Sequence, residues 1–126
     1  MWSRIVALGS LLPLVACAPS YAGGDPEDVE RKLLRIVPLG SPLSRLQEEV
    51  ERRQWHVPFE AQEVAEGSPT LLNDTHLQCR GAGGKVLTVY VANYWSPFRT
   101  VVETQWLYDQ DNRLRGVCVR KTVDAL

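Results

Sequence analysis

The stretch Lys85–Lys121, KVLTVYVANYWSPFRTVVETQWLYDQDNRLRGVCVRK, decides the fold of this chain. It contains three runs rich in β-branched and aromatic residues, at Lys85–Tyr94, Thr100–Tyr108 and Leu114–Lys121. Short turn-forming segments separate these runs, which is typical of consecutive strands joined by hairpins. The pattern therefore predicts an antiparallel meander.

The turn Asp109–Arg113 has the composition of a three-residue hairpin loop with Asn112 in the left-handed conformation. The pairs that follow are Tyr108 with Leu114, Trp106 with Gly116 and Thr104 with Cys118. One sheet face then carries the apolar set Val102, Trp106, Tyr108, Leu114 and Cys118. A loop shorter by one residue would exchange the two faces of the last strand and bury Val117 and Val119 instead.

An earlier strand is predicted at Thr75–Arg80, joined to the first run by the glycine-rich turn Gly81–Gly84. The preceding segment, Glu66–Asp74, is rich in turn formers and is predicted to be a loop. Trp55–Phe59 is predicted to be an extended stretch, which Pro58 confines to a sheet edge or an irregular segment.

An amphipathic helix is predicted to begin at Asp25–Asp28, where an N-cap side chain, a proline and two acidic residues follow one another. Val29, Leu33 and Val37 form an apolar stripe at helical spacing. Pro38–Gly40 ends the helix.

Ser41-Pro42 is the start signal of a second helix, which is expected to end near Gln54. Leu43, Leu46 and Val50 line its apolar face, while charged residues that include Glu48 and Glu49 are expected on the solvated surface. The sequence thus predicts one α+β domain over residues 25–126. In it, two N-terminal helices pack on one face of an antiparallel β-meander of three to four strands.

Residues before the domain have the organisation of a secretion signal. Arg4 precedes an apolar run, Ile5–Ala16, that is too short to span a bilayer. The run ends in Leu14-Val15-Ala16-Cys17, which resembles the lipobox of bacterial lipoproteins. The resemblance implies a signal peptide at residues 1–16, removed before a Cys17 that carries fatty acyl chains such as palmitate, and a flexible tether at 17–24.

The residue after the cysteine bears on the compartment. Ala18 stands where an Asp tends to retain such lipoproteins in the inner membrane, so we expect a lipid anchor in the outer membrane, facing the periplasm. Ser20-Tyr21-Ala22 also satisfies the small-x-small rule of an ordinary cleavage site. The alternative is therefore a soluble periplasmic protein released by cleavage after Ala22.

The order of elements also resembles that of the small outer-membrane-assembly lipoproteins of the β-lactamase-inhibitor-like fold. The residues that carry this resemblance are the helix start Gly40-Ser41-Pro42-Leu43 and the hairpin Trp106-x-Tyr108-Asp109…Leu114. Two features depart from the pattern of these lipoproteins. Asn112-Arg113 stands where their hairpin usually has a glycine, and the Glu66–Asp74 loop has no counterpart in them. The resemblance implies fold and compartment more than activity.

Removal of the signal leaves Cys79 and Cys118 besides the lipidated cysteine. Two cysteines in an oxidising compartment are expected to form one disulfide, with a pair of buried thiols as the alternative.

The sequence offers little chemistry. His76-x-x-Cys79 with Asp74 resembles a metal cluster but provides three ligands at most, so we expect no metal site. Gly81–Lys85 lacks the spacing and the following helix of a phosphate-binding loop. A net charge of −1 argues against nucleic-acid binding. No consistent set of acid, base and nucleophile is present, so we expect neither an enzyme nor a cofactor.

Aromatic residues gather at one turn, where Tyr94, Trp95 and Phe98 are predicted to contact a partner. The alternative is that Trp95 and Phe98 fold back and seal the core. The leading functional hypothesis is a non-enzymatic lipoprotein that binds another envelope protein of unknown identity, for instance in outer-membrane structure or assembly. The rival is a periplasmic inhibitor or immunity-type protein that neutralises a toxin or hydrolase through the Glu66–Asp74 loop.

Overall fold

The computed structural model describes residues 19–70, 79–95 and 98–124, with Asp124 described by its backbone alone. Within these residues, two helices precede an antiparallel sheet of four strands in the order β1-β2-β3-β4. The elements are α1 (Pro26–Ile36), α2 (Leu43–Arg53), β1 (Gln62–Glu63), β2 (Lys85–Trp95), β3 (Arg99–Tyr108) and β4 (Leu114–Asp124). The predicted α+β class with a β-meander is confirmed.

Helix α1 begins as its sequence predicts. The Asp28 amide donates to Asp25 Oδ1 at 2.9 Å, which satisfies one of the free amides at the helix start. The predicted stripe of Val29, Leu33 and Val37 is completely buried. The helix ends where Val37 turns to an extended backbone, just before Pro38.

Helix α2 ends at Gln54, whose left-handed φ of 61° turns the chain away from the helix axis. Leu46 is fully buried on this helix. The prediction that Glu49 lies on the solvated surface is wrong, because its side chain is only 1% exposed. Glu49 follows Leu46 by three residues, so helical spacing places both on the buried face.

The first strand differs from the prediction. It is β1, which pairs Gln62 with Val86 and Glu63 with Lys85. Of the predicted strand Thr75–Arg80, residues 75–78 lie outside the described residues, and Arg80 forms only an isolated bridge with Pro69. The reason is that the backbone at 79–81 bonds to residues 67–70 and not to β2.

The last hairpin confirms its loop and corrects its register. Asn112 has a positive φ of 59°, and Tyr108 pairs with Leu114, both as predicted. Beyond that pair the register shifts by one residue, because Arg115 is an extra residue in β4. The predicted pairs Trp106 with Gly116 and Thr104 with Cys118 are therefore wrong. The observed pairs are Trp106 with Val117, Thr104 with Val119 and Gln105 with Cys118.

This shift decides which side chains of β4 are buried. Val117 and Val119 belong to the main core, as in the alternative register, and Cys118 belongs to a second cluster with Cys79, Val86 and Leu107. Cys79 and Cys118 form the predicted disulfide, with their Cα atoms 5.9 Å apart. The disulfide therefore fastens the segment at residue 79 to the sheet.

The N-terminal segment differs from the flexible tether predicted for residues 17–24. Ala22 is completely buried in the main core, and Tyr21 packs against that core. The Tyr21 hydroxyl donates to the Val91 carbonyl at 3.2 Å and accepts from Trp55 Nε1 at 3.0 Å. The fold thus includes residues that the sequence pattern assigns to a linker. No helix in the described ranges is long and apolar enough to cross a membrane.

Candidate binding site

The aromatic turn between β2 and β3 exposes two of its three predicted contact residues. Trp95 is 49% exposed and Phe98 is 45% exposed, so neither seals the core. Tyr94 is partly buried against the core, and the Lys121 ammonium lies 5.8 Å from its ring centroid. The structure thus presents Trp95 and Phe98 at one end of the sheet, while Tyr94 packs against the core.

A groove of about 420 Å³ lies beside this turn, along the outer edge of β2. We call it the β2-edge groove. The side chains that define it are those of Arg53, Trp55, His56, Tyr90, Asn93 and Arg99. One wall is the end of α2 and the residues after it, and the other wall is the second half of β2 together with Arg99 of β3.

The floor of the groove is held firmly. Trp55 is almost fully buried, and its ring lies 6.3 Å from that of Trp106 in a stacked arrangement. Its indole N–H and the Tyr21 hydroxyl form a chain of hydrogen bonds that ends at the Val91 carbonyl. His56 packs edge-on against Tyr90, with 5.8 Å between ring centroids. Fixed aromatic surfaces of this kind lose little entropy when a ligand binds.

Positive charge on the helix side comes from an ion cluster around Glu49. Its carboxylate pairs with Arg45, with Arg52 at 2.7 Å and with Arg53 at 2.8 Å. Burial by itself would raise the pKa of Glu49, but hydrogen bonds from Arg53 and Arg45 and the charge of Arg52 hold that pKa below its ordinary value. Three guanidinium groups share one carboxylate, so the cluster keeps a net charge of +2.

Arg53 and Arg99 bring positive charge to the two walls. The Arg53 guanidinium carbon lies 5.4 Å from the Tyr21 ring centroid and 5.9 Å from that of Trp55. Arg99 Nε donates to Asn93 Oδ1 at 3.1 Å, and Arg99 pairs with Trp95 in the sheet register. Arg99 therefore connects the groove to the aromatic turn.

Of the three residues that suggested a metal cluster, only Cys79 lies within the described part of the chain. Cys79 is in the disulfide and so offers no thiolate to a metal, while Asp74 and His76 lie outside the described residues. The described residues include no cluster of three or more His, Cys, Asp or Glu side chains that could hold a metal ion.

Close backbone packing explains one glycine of the Gly81–Gly84 turn. A Cβ on Gly84 would come within 2.1 Å of the Asp109 carbonyl oxygen, so this position needs glycine for close backbone packing. Together with Asp109 it borders a second groove, of about 560 Å³, at the opposite end of the sheet. Asp109 accepts from the amides of Asp111 and Arg113, which lower its pKa, so its carboxylate is already engaged in the turn.

The predicted Glu66–Asp74 loop is only partly within the described residues. The base of the Glu66–Asp74 loop bonds to residues 79–81, through Thr70 N to Cys79 O at 3.2 Å and Gly81 N to Ser68 O at 2.8 Å. Residues 71–74 of that loop lie outside the described part of the chain, as does Cys17.

Comparison with protein-family models, with curated proteins and with solved structures found no match for this chain. The sequence patterns located the aromatic turn but missed the groove. Its helix side is formed by Arg53, Trp55 and His56, and the only local signal was an aromatic pair directly after a helix end.

Proposed function

We propose that this chain is a non-enzymatic lipoprotein of the cell envelope that binds another envelope protein in outer-membrane structure or assembly. The observation that carries the proposal is the exposure of Trp95 and Phe98 beside the β2-edge groove. Large aromatic side chains supply contact area at low entropic cost and dominate the binding energy of many interfaces.

The position of this turn in the domain supports a contact role. Val29, Leu33 and Leu46 share one buried cluster with Trp106 of the sheet, from which we infer that the helices cover one sheet face. The sheet ends and the remaining edges then stay open to a partner.

Packing at the N-terminus supports a lipid anchor at Cys17 over cleavage after Ala22. That cleavage would remove Ala22 from the core and Tyr21 from its hydrogen bonds to Trp55 and Val91. Cleavage before Cys17 keeps both residues. Four residue steps separate Cys17 from Tyr21 and span at most about 14 Å, so the anchor would hold the domain close to the outer membrane, on its periplasmic side.

The test is a crosslinked pull-down from envelopes with Trp95→Ala and Phe98→Ala. Both side chains are about half exposed, so we expect each variant to keep the wild-type melting temperature. Partner capture should fall, since a hot-spot aromatic contributes about 2 kcal/mol or more. The control is Leu39→Ala, because Leu39 is 58% exposed and its neighbour Gly40 bonds to Leu114, at the other end of the sheet. Capture by both aromatic variants at the wild-type level would overturn the proposal.

A further inference from the structure

The outer edge of β2 is paired along only part of its length. Strand β1 covers Lys85 and Val86, and His56 exchanges two backbone hydrogen bonds with Tyr90, at 3.1 and 2.8 Å. Beyond Tyr90, no strand of the described residues lies on this side of β2. The contact that the described residues make with this part of the edge is the hydrogen bond from the Tyr21 hydroxyl to the Val91 carbonyl.

The direction of the free backbone groups follows from the pairing. Both polar groups of Tyr90 bond to His56, so they point away from β3. In an antiparallel strand this orientation recurs at every second residue, and the bulge between Tyr90 and Ala92 adds one residue to that count. The N–H and C=O groups of Asn93 and Trp95 therefore point to the unpaired edge.

The turn at Gln54 explains why this edge stays open. Its left-handed backbone directs the chain out of α2 and into the single bridge at His56. The helix end consequently stands apart from the last residues of β2, and the β2-edge groove is the space between them. A strand laid along Asn93–Trp95 would enter that space.

The charge of the β2-edge groove indicates which kind of segment can bind there. Arg53 and Arg99 stand on the two walls, and the groove residues within the described ranges include no carboxylate. Glu49 is already paired with arginines in its cluster, and Glu103 pairs with Arg120 at 2.7 Å. Guanidinium groups in this setting favour a segment that carries carboxylates.

We propose that the edge of β2 at Asn93–Trp95 accepts an extended acidic segment of a partner protein as an added strand. Backbone hydrogen bonds to Asn93 and Trp95 hold the segment, and its carboxylates bind Arg53 and Arg99. This inference rests on the proposed function and names the class of partner and its mode of binding.

The direct test uses two synthetic peptides of about eight residues, an acidic one that carries Asp on both faces of the extended strand and a matched one with Lys in place of each Asp. We expect only the acidic peptide to bind, and its binding to weaken between about 0.05 and 0.5 M salt. Binding should also slow amide hydrogen exchange at Asn93 and Trp95. Equal binding of the two peptides, or no protection of these amides, would overturn the proposal.

Two substitutions at one position separate the backbone from the side chain. Asn93→Pro removes the outward N–H and should weaken the acidic peptide at least about tenfold. Asn93→Ala keeps the N–H and should bind the acidic peptide more tightly than Asn93→Pro does. Equal affinities for these two variants would refute strand addition.

Charge reversal provides an independent test that does not depend on the proline variant folding. Arg99→Glu should weaken the acidic peptide at least about tenfold. The control Arg80→Glu, an exposed arginine next to the disulfide, should change the affinity less than about twofold. Unchanged affinity in Arg99→Glu would overturn the assignment of an acidic ligand.

Failure of this inference is distinguishable from failure of the proposed function. If Trp95→Ala and Phe98→Ala abolish partner capture while Asn93→Pro and Arg99→Glu do not, the turn binds a partner without strand addition. If sedimentation shows a dimer that Asn93→Pro abolishes, the edge belongs to a second copy of this chain, and the acidic partner is refuted.

Discussion

Replacing Glu49 by Gln removes the one negative charge that three arginines share inside this domain. The carboxylate is 1% exposed, while the side chains of Arg45, Arg52 and Arg53 are 36%, 64% and 31% exposed. Breaking a fully buried ion pair costs about 3–5 kcal/mol, and an exposed pair contributes about 0–1 kcal/mol. Because the arginines keep much of their hydration, we expect Glu49→Gln to lower the free energy of unfolding by about 2 kcal/mol.

The lowered pKa of Glu49 predicts how the stability difference between the two proteins changes with pH. The pKa of Glu49 in the folded protein lies below its ordinary value of 4.5, since the arginine contacts favour the ionised form. A lowered pKa contributes stability that is complete above the unfolded value and is lost as the pH falls through the folded value. The stability difference between wild type and Glu49→Gln should therefore be full at pH 7 and shrink on acidification below about 4.5.

Urea denaturation at a series of pH values measures this difference. Glu48→Gln is the matched control, because Glu48 is the neighbouring residue on the same helix and is exposed. We expect that variant to stay within about 0.5 kcal/mol of wild type at pH 7. Equal stability of the two glutamine variants, or a difference that does not change with pH, would refute the reasoning.

Two further predictions concern the N-terminus of the chain and its crosslink. Mass spectrometry of the envelope protein should find an acylated N-terminus at Cys17, and Cys17→Ala should release the protein from the membrane fraction. A mature wild-type chain beginning at Gly23 would contradict the anchor. Thiol labelling of the unfolded, unreduced protein should find Cys79 and Cys118 protected. Changing both to Ala should cost roughly 3–4 kcal/mol, because the bridge closes a loop with a sequence separation of 39; stability unchanged by that replacement would contradict this estimate.

Helix limits and the main strands were predictable because their signals are local. Asp25 caps α1 through a contact three residues away, and the alternation of β-branched residues marks β2 and β3 within single segments. The burial of Glu49 was not predictable in this way. Its location follows from helical spacing, but a carboxylate is tolerated there because Arg45, Arg52 and Arg53 satisfy it.

The register of the last hairpin could not be predicted from the sequence, for a different reason. The loop from Asp109 to Arg113 has the predicted length, yet the extra residue at Arg115 reverses which side chains of β4 reach the core. A bulge has no compulsory residue, so the choice between two registers rests on tertiary packing. Val117 and Val119 fill the main core, and Cys118 is left on the face where Cys79 can reach it.

One part of the candidate site is visible in the sequence, and the other part depends on tertiary contacts. Trp95 and Phe98 stand close together in the chain, so the amino-acid sequence alone reveals their clustering. The β2-edge groove joins Arg53 to Arg99 across 46 positions, since 99 − 53 = 46. The bridge between His56 and Tyr90 brings the two walls together. That bridge also ends the paired part of the β2 edge, so the contact that forms the groove is the one that leaves Asn93 and Trp95 able to bind another strand.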